Sequence, residues 1–390
     1  MANFETEIRD AFERRLAAVP PRPGLRVRIN HAVGTPSSRP RAWQVVAASA
    51  ALLLVGAATF SVLLARGQRT HVIGPTPTAH ASATPSPSTS PASAGPWPRS
   101  TNLVYDSTTH QVLLFGGSTS GIGTLGDTWN WNGTTWQELH PAATPPNRSG
   151  GALADDPAHH MVVLFGGGNH DDTWLWDGRT WNQALPAHSP SVRTAAAMTY
   201  DALHHVVVLF GGQSSAGYTL GDTWTWDGTD WTERTPASSP PARAYARLAF
   251  DAARGVTLLF GGDVLRFDDT WSWDGTSWTR LHPAHTPPAW DSATRVPQPM
   301  VYDSLRKVVM FVGPQWHTSL STDNTMETWT WNGTDWTHQT PATSPPVRDG
   351  AGLAFDARHG VTILAGGGSM GNGDATSTWS WDGVNWTRAG

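Results

Sequence analysis

The chain of 390 residues contains no cysteine. Disulfides, thiolate nucleophiles and cysteine-bound metals are thereby excluded, and any fold it adopts outside the cytoplasm must hold by packing alone. Lysine is almost missing: Lys307 stands beside 25 arginines. With abundant alanine, glycine and proline, this usage points to a high-GC bacterial genome. Tyrosine is scarce, at five copies: Tyr105, Tyr200, Tyr218, Tyr245 and Tyr302. None stands next to a histidine. Charge is unevenly spread. Residues 1–97 carry 10 basic and 4 acidic groups, net +6, and residues 98–390 carry 16 and 27, net −11. The acidic part argues against nucleic acid as a partner.

Tryptophan is what the chain has in excess. Eighteen of its 22 copies fall in six occurrences of Thr-Trp-x-Trp-[Asp/Asn]-Gly-x-x-Trp, beginning at Thr128, Thr173, Thr223, Thr270, Thr328 and Thr378. Self-similarity at a period of about 45–58 residues marks a repeat architecture. Upstream of each motif is an apolar run closing in glycine: Leu114-Phe115-Gly116-Gly117, Leu164-Phe165-Gly166-Gly167, Leu209-Phe210-Gly211-Gly212, Leu259-Phe260-Gly261-Gly262, and the degenerate Phe311-Val312-Gly313 and Leu364-Ala365-Gly366-Gly367. Earlier still come Tyr105-Asp106, Asp155-Asp156, Tyr200-Asp201, Phe250-Asp251, Tyr302-Asp303 and Phe355-Asp356. Each is preceded by an arginine: Arg99, Arg148, Arg193, Arg243, Arg295 or Arg348.

Each unit reads as four short strands. Strand A runs into the Asp, strand B ends in Gly-Gly, strand C is Thr-Trp-x-Trp, and strand D starts near the third Trp. Val, Thr and Trp suit a pleated, half-buried surface, and Gly, Asp and Pro bound the runs. Asp-Gly or Asn-Gly between C and D predicts a hairpin with positive φ. The period of two in Trp-x-Trp puts both rings on one face, where each buries roughly 150–250 Å². These rings are expected to glue one unit to the next. Pro-rich stretches such as Pro141–Pro146, Pro236–Pro241 and Pro341–Pro346 lead from D to the next A.

Six four-stranded units without helices predict an all-β, six-bladed β-propeller. The Arg, Asp, Gly-Gly and Trp pattern resembles bacterial kelch repeats related to the propeller of galactose oxidase, over Arg99 to Arg388. The resemblance implies blades around an axial channel with strand A innermost. The first unit starts at strand A and the last ends at strand D, so simple packing of blade 6 on blade 1 is expected to close the ring. It also raises the copper-radical chemistry of galactose oxidase. That cofactor needs a tyrosine cross-linked to cysteine, which cannot form here. No cofactor is expected.

Before the propeller, residues 42–65 (Ala42–Ala65) are apolar and almost uncharged. As a helix they would reach roughly 36 Å, enough for a hydrocarbon core of about 30 Å. Eight arginines precede the run, and Arg66 and Arg69 follow it. The excess of positive charge predicts a single-pass membrane protein with residues 1–41 cytoplasmic and the propeller, residues 99–390, extracytoplasmic. A cleaved signal peptide is the rival, with Ala79-His80-Ala81 as its one Ala-x-Ala. Residues 66–98, rich in Pro, Ser and Thr, read as an extended stalk. Phe4, Ile8, Phe12 and Leu16 line one face of a short cytoplasmic helix that Pro20-Pro21 ends.

Groups that recur in all blades read as structure, and groups that break the repeat read as candidates for a ligand. Gly367-Gly368-Ser369-Met370-Gly371 matches a nucleophile elbow but follows a propeller strand with no helix behind it. His159-His160 and His204-His205 share a turn with Arg254, Arg306-Lys307 and His359, which reads as a solvated basic turn. His170-Asp171-Asp172 has ligand chemistry, but Asp172 recurs before Thr-Trp. No catalytic set and no metal site are expected. The informative exceptions are Trp290, in the D–A connection entering blade 5, Trp316 and His317 in its long B–C loop, and Arg266 and Phe267 in the B–C loop of blade 4. Alternating strand direction puts these loops on one face, as an aromatic patch for a protein or glycan. A membrane-held binding head is the first reading. A carbohydrate-active enzyme and a sensor acting through the cytoplasmic helix are the alternatives.

Overall fold

The computed structural model describes residues 95–96, 98–119, 121–262, 267–288, 299–314, 325–369 and 376–389. The expected cytoplasmic segment 1–41, apolar run 42–65 and stalk 66–98 lie outside these residues, apart from the last few before Arg99. No helix among the described residues is long and apolar enough to cross a membrane.

Six antiparallel sheets follow one another along the chain. Blade 1 is Leu103–Asp106, Gln111–Thr119, Gly123–Trp131 and Trp136–Leu139, in that spatial order. The other five repeat the A-B-C-D order, and blade 3 adds the two-residue strand Arg193–Thr194. The strands are short because Asp and Gly interrupt the β-branched runs at fixed places. Each inner strand A contacts the inner strands on both sides, blade 6 against blade 1 included. This is the six-bladed propeller the repeats predict.

Among the described residues no sheet mixes strands of blade 1 and blade 6. The ring closes with the contacts that join any two blades. Gly117 N–H donates to Arg148 O of the next blade at 3.0 Å, and Gly367 N–H donates to Arg99 O at 2.6 Å across the closure. Thr101 N–H adds a bond to Gly350 O at 2.9 Å.

The Gly-Gly pair is not always a strand end. In blades 1, 3 and 6 strand B runs on through it for nine residues in all. In blade 1 the register slips between Phe115 and Gly117, which is a bulge. Gly116 and Gly117 have φ of 60° and 108°, and a Cβ on either would collide with backbone oxygens of neighbouring segments. Glycine is required there by close approach as well as by φ.

The core lies between blades. One cluster joins Val163 and Phe165 of blade 2 to Val207, Leu209, Trp226 and Trp231 of blade 3. Within the hairpin the second and third tryptophans of the motif pair directly, with Trp226 and Trp231 ring centroids 5.5 Å apart. Phe165 of the preceding blade meets Trp231 edge-on at 5.2 Å. The Trp-x-Trp rings are glue, as predicted, and the third Trp is glue as well.

That third Trp makes a further contact in every blade. Its indole N–H donates to the hydroxyl of the Thr that opens the motif one blade earlier. The bonds run Trp181 to Thr128, Trp231 to Thr173, Trp278 to Thr223, Trp336 to Thr270 and Trp386 to Thr328. Trp136 to Thr378 at 2.8 Å completes the circle. The Thr and the third Trp of the motif are thus fixed by the neighbouring blade as well as by their own sheet.

Candidate functional site

The recurring Arg and Asp side chains are occupied internally. Arg193 donates to Gly211 O at 3.0 Å and to both carboxylate oxygens of Asp222 at 2.7 Å. Arg99 with Asp127, Arg148 with Asp172 and Arg243 with Asp269 repeat this, and Arg348 reaches Ser377 in blade 6. The same acid takes the indole N–H of the first Trp, as Trp224 does to Asp222 at 2.7 Å. Burial alone would raise Asp222. Its hydrogen bonds to Arg193 and Trp224, with the Arg193 charge, hold it below the usual carboxylate value. Asp172 of the His170-Asp171-Asp172 run is held the same way, and no group of three His, Asp or Glu among the described residues is placed to grip a metal ion.

The basic A–B turns differ from the sequence expectation. They are not merely solvated. His159, His204 and His359 each bond through Nδ1 to the Asp that ends strand A, at 2.7–2.8 Å. Arg254 and Arg306 do so with Asp251 and Asp303. The same five side chains lie under the C–D hairpin of the next blade. A Cβ on Gly228, which has φ +96°, would overlap the His159 imidazole. This turn is a second lock between blades, on the face opposite the B–C loops.

Ser369 is the last residue of a strand and pairs in the ladder with Arg348. Of the five loop candidates, Phe267 is described. It is half-buried, and the Arg243 guanidinium lies 3.7 Å above its ring centre. Such stacking is worth about 0.5–2 kcal/mol and ties this loop to the Arg243–Asp269 pair. Arg266, Trp290, Trp316 and His317 lie outside the described residues.

The axis of the propeller holds a concavity that the sequence reading did not single out. The inner strands place their residues around it in rings. Leu103, Leu153, Met198, Leu248, Met300 and Leu353 form a belt of bulky apolar side chains. On the B–C side of the belt is a small space of about 60 Å³ lined partly by Asn102 and Arg247. Burial pulls Arg247 down to about 10. On the A–B side is a chamber of about 330 Å³. Its wall carries Tyr105, Asp155, Tyr200, Phe250, Tyr302 and Phe355, and its rim includes the exposed Ala202, Ala252, Ser304 and Ala357.

Asp155 is the departure in that wall. Five blades put an aromatic ring before the strand-ending Asp, and blade 2 puts a carboxylate. It is half-buried, and among the described residues its hydrogen-bond partner is Ser107, whose backbone N–H donates at 3.2 Å. Burial pushes Asp155 up to about 7, with Asp106 and Asp156 adding to the rise against the bonds from Ser107. Burial, then the charges of Asp356 and Asp155, raise the Tyr105 phenol, and burial, then Asp156 and Asp155, raise Tyr200. The signal was present in the text of the repeat as Asp155-Asp156 where Tyr-Asp or Phe-Asp recurs.

Comparison of the chain with protein-family models finds no match, and comparison with curated proteins finds none either.

Proposed function

We propose that this chain is a kelch-type propeller held outside the cell membrane by residues 42–65 and the stalk 66–98, and that it acts as a binding head for a protein or a glycan. The observation that supports the reading is the commitment of the recurring polar side chains. The Arg–Asp pairs, the Trp–Thr links and the Asp-held turns spend their donors and acceptors between and within blades. A repeat so used leaves recognition to the places where it is broken. On the B–C face those are the loops of blades 4 and 5, with Arg266, Phe267, Trp290, Trp316 and His317. Aromatics there would stack on sugar rings or anchor a peptide, and the few polar groups would orient it.

The test uses the full chain in lipid nanodiscs on a glycan array, with turnover followed in parallel. A glycan bound and left intact supports the binding head; a glycan bound and cleaved turns the reading to an enzyme. With a ligand in hand, Trp290→Ala and Trp316→Ala should each weaken binding at least tenfold with little change in melting temperature. Unchanged affinity, or a large loss of stability, would place the site elsewhere.

A further inference from the structure

The axial chamber lies on the side of the propeller away from the loops just discussed, so its use is a separate question. We propose that it is a second binding site, one that takes a small organic cation, an ammonium or guanidinium group seated on the Asp155 carboxylate and surrounded by the aromatic wall.

Packing gives no reason for the acid. The equivalent side chain is Tyr or Phe in the other five blades, and an aromatic ring there would bury roughly 150–250 Å² of apolar surface. Blade 2 forgoes that burial and sets a carboxylate among apolar neighbours. A carboxylate so placed is costly unless it is paired. Its hydrogen bond from Ser107 N–H supplies a dipole and not a counter-charge.

The charged and titratable groups around it do not supply one either. From blade 1, Tyr105 and Asp106 face it. Asp106 is occupied by the Thr108 and Thr109 N–H groups, the Thr109 hydroxyl and the Trp176 indole. From its own strand comes Asp156, which holds His159 at 2.8 Å. From blade 3 come Tyr200 and Asp201, the latter holding His204 at 2.8 Å. His110 and His205 are directed to the hydroxyls of Tyr105 and Tyr200, at 3.4 and 3.2 Å. Arg247 lies across the Leu/Met belt, Arg358 acts on Tyr105 and Arg254 on Tyr302. Among the described residues none of these cations is paired with Asp155, and the chamber has room for one.

Size and form agree with a small ligand. A space of about 330 Å³ falls at the lower end of small-molecule pockets. The belt closes it on one side, and the rim of small exposed residues leaves the A–B end accessible. Five aromatic side chains suit an organic cation, since ring faces attract ammonium and guanidinium groups, and no group of three His, Asp or Glu among the described residues is placed to hold a metal ion. The carboxylate fixes the charged end, and the apolar belt receives the alkyl part.

The test is isothermal titration of the full chain in nanodiscs with n-butylammonium, n-butylguanidinium and the neutral n-pentanol. At pH 8 at least one cation should bind, and the alcohol at least tenfold more weakly. Cation affinity should fall at pH 5.5, where Asp155 is protonated. Asp155→Asn should lose at least tenfold in cation affinity while melting no lower than the native chain. Asp155→Tyr, which restores the repeat, should abolish cation binding. Trp316→Ala should bind the cation normally, so that failure of the loop-face reading and failure of this one are told apart. Equal affinity for the alcohol, cation binding unchanged in Asp155→Asn, or no binding of either cation would overturn the proposal.

Discussion

Trp231 offers the most direct measure of how the blades are joined. Its ring is buried, paired with Trp226 in its own hairpin, edge-on to Phe165 of blade 2, and its N–H meets Thr173 Oγ1 at 2.9 Å. Trp231→Ala removes a core aromatic, which costs about 3–5 kcal/mol, and leaves the buried Thr173 hydroxyl without its donor, about 1–3 kcal/mol more. The two overlap where the cavity admits water, so a total of about 4–6 kcal/mol is expected. For a domain this large that is a fall in Tm of roughly 8–12 °C, at about 2 °C per kcal/mol. Thr173→Val isolates the hydrogen bond and should cost about 1–3 kcal/mol. In a double-mutant cycle with Trp231→Phe, the coupling should be about 1 kcal/mol. Thr119→Ala, which loses one exposed bond to Ile122 N–H at 3.0 Å, is the control and should stay within about 0.5 kcal/mol. Denaturant melts of the four single variants and of the Thr173→Val/Trp231→Phe double variant read these values. The inter-blade argument is refuted if Trp231→Ala and Thr119→Ala melt together, or if Thr173→Val and Trp231→Phe add without coupling.

Two further expectations concern the carboxylates, and a third concerns the proposed topology. Asp155 is raised from 3.8 to about 7, so its contribution to stability is full below about pH 4 and is lost as pH rises through 7; Asp155→Asn should therefore gain on the native chain between pH 5 and 8, by about 1–3 kcal/mol after discounting for partial exposure, and a gap in Tm that does not change with pH would contradict this. Asp222 and its equivalents are depressed, so their contribution is present above about pH 4 and lost as pH falls below it; Asp222→Asn should be less stable at pH 7, where it strands the buried Arg193, and its acid transition should be shallower in a pH series of melts. Protease added to intact cells should remove the propeller and leave the anchor, and digestion that requires lysis would reverse the proposed topology.

Much of this architecture is legible in the sequence because a repeat states its contacts six times. Thr-Trp-x-Trp followed by Asp-Gly names two strands and their hairpin wherever it occurs, and Gly133, Gly178, Gly228, Gly275, Gly333 and Gly383 all have the positive φ that the hairpin demands. Closure by packing of blade 6 on blade 1, also expected, is seen in the contacts and backbone bonds between them. What escaped is what one blade does to the next. Asp156 and His159 are close in the chain, so their pairing could be read from spacing. That the imidazole also lies beneath Gly228, about 70 residues on, could not. The Thr–Trp bond likewise joins two halves of the same motif in different copies, so within one copy each looks like a simple strand residue. The continuation of strand B past Gly-Gly was hidden by the ordinary rule that glycine ends strands. Here the bulge lets the strand survive it.

Departures from the repeat are not equally plain in the sequence. Trp290 and Trp316 are conspicuous because they stand outside the motif. Asp155 sits inside it, beside an Asp that recurs, and reads as its continuation. Position is what separates them. Strand A is the innermost, so a change at its penultimate position alters the wall of the axial chamber, whereas the Asp that follows is turned into the A–B turn and holds His159. Neighbouring residues of a strand serve opposite sides. Asp155-Asp156 is therefore one acid for the channel and one for the scaffold. The scaffold acid has a partner in every blade, and the channel acid has none from the channel wall. Recurrence marks Asp156 as scaffold, and the break in the repeat marks Asp155 as the acid proposed to hold a ligand.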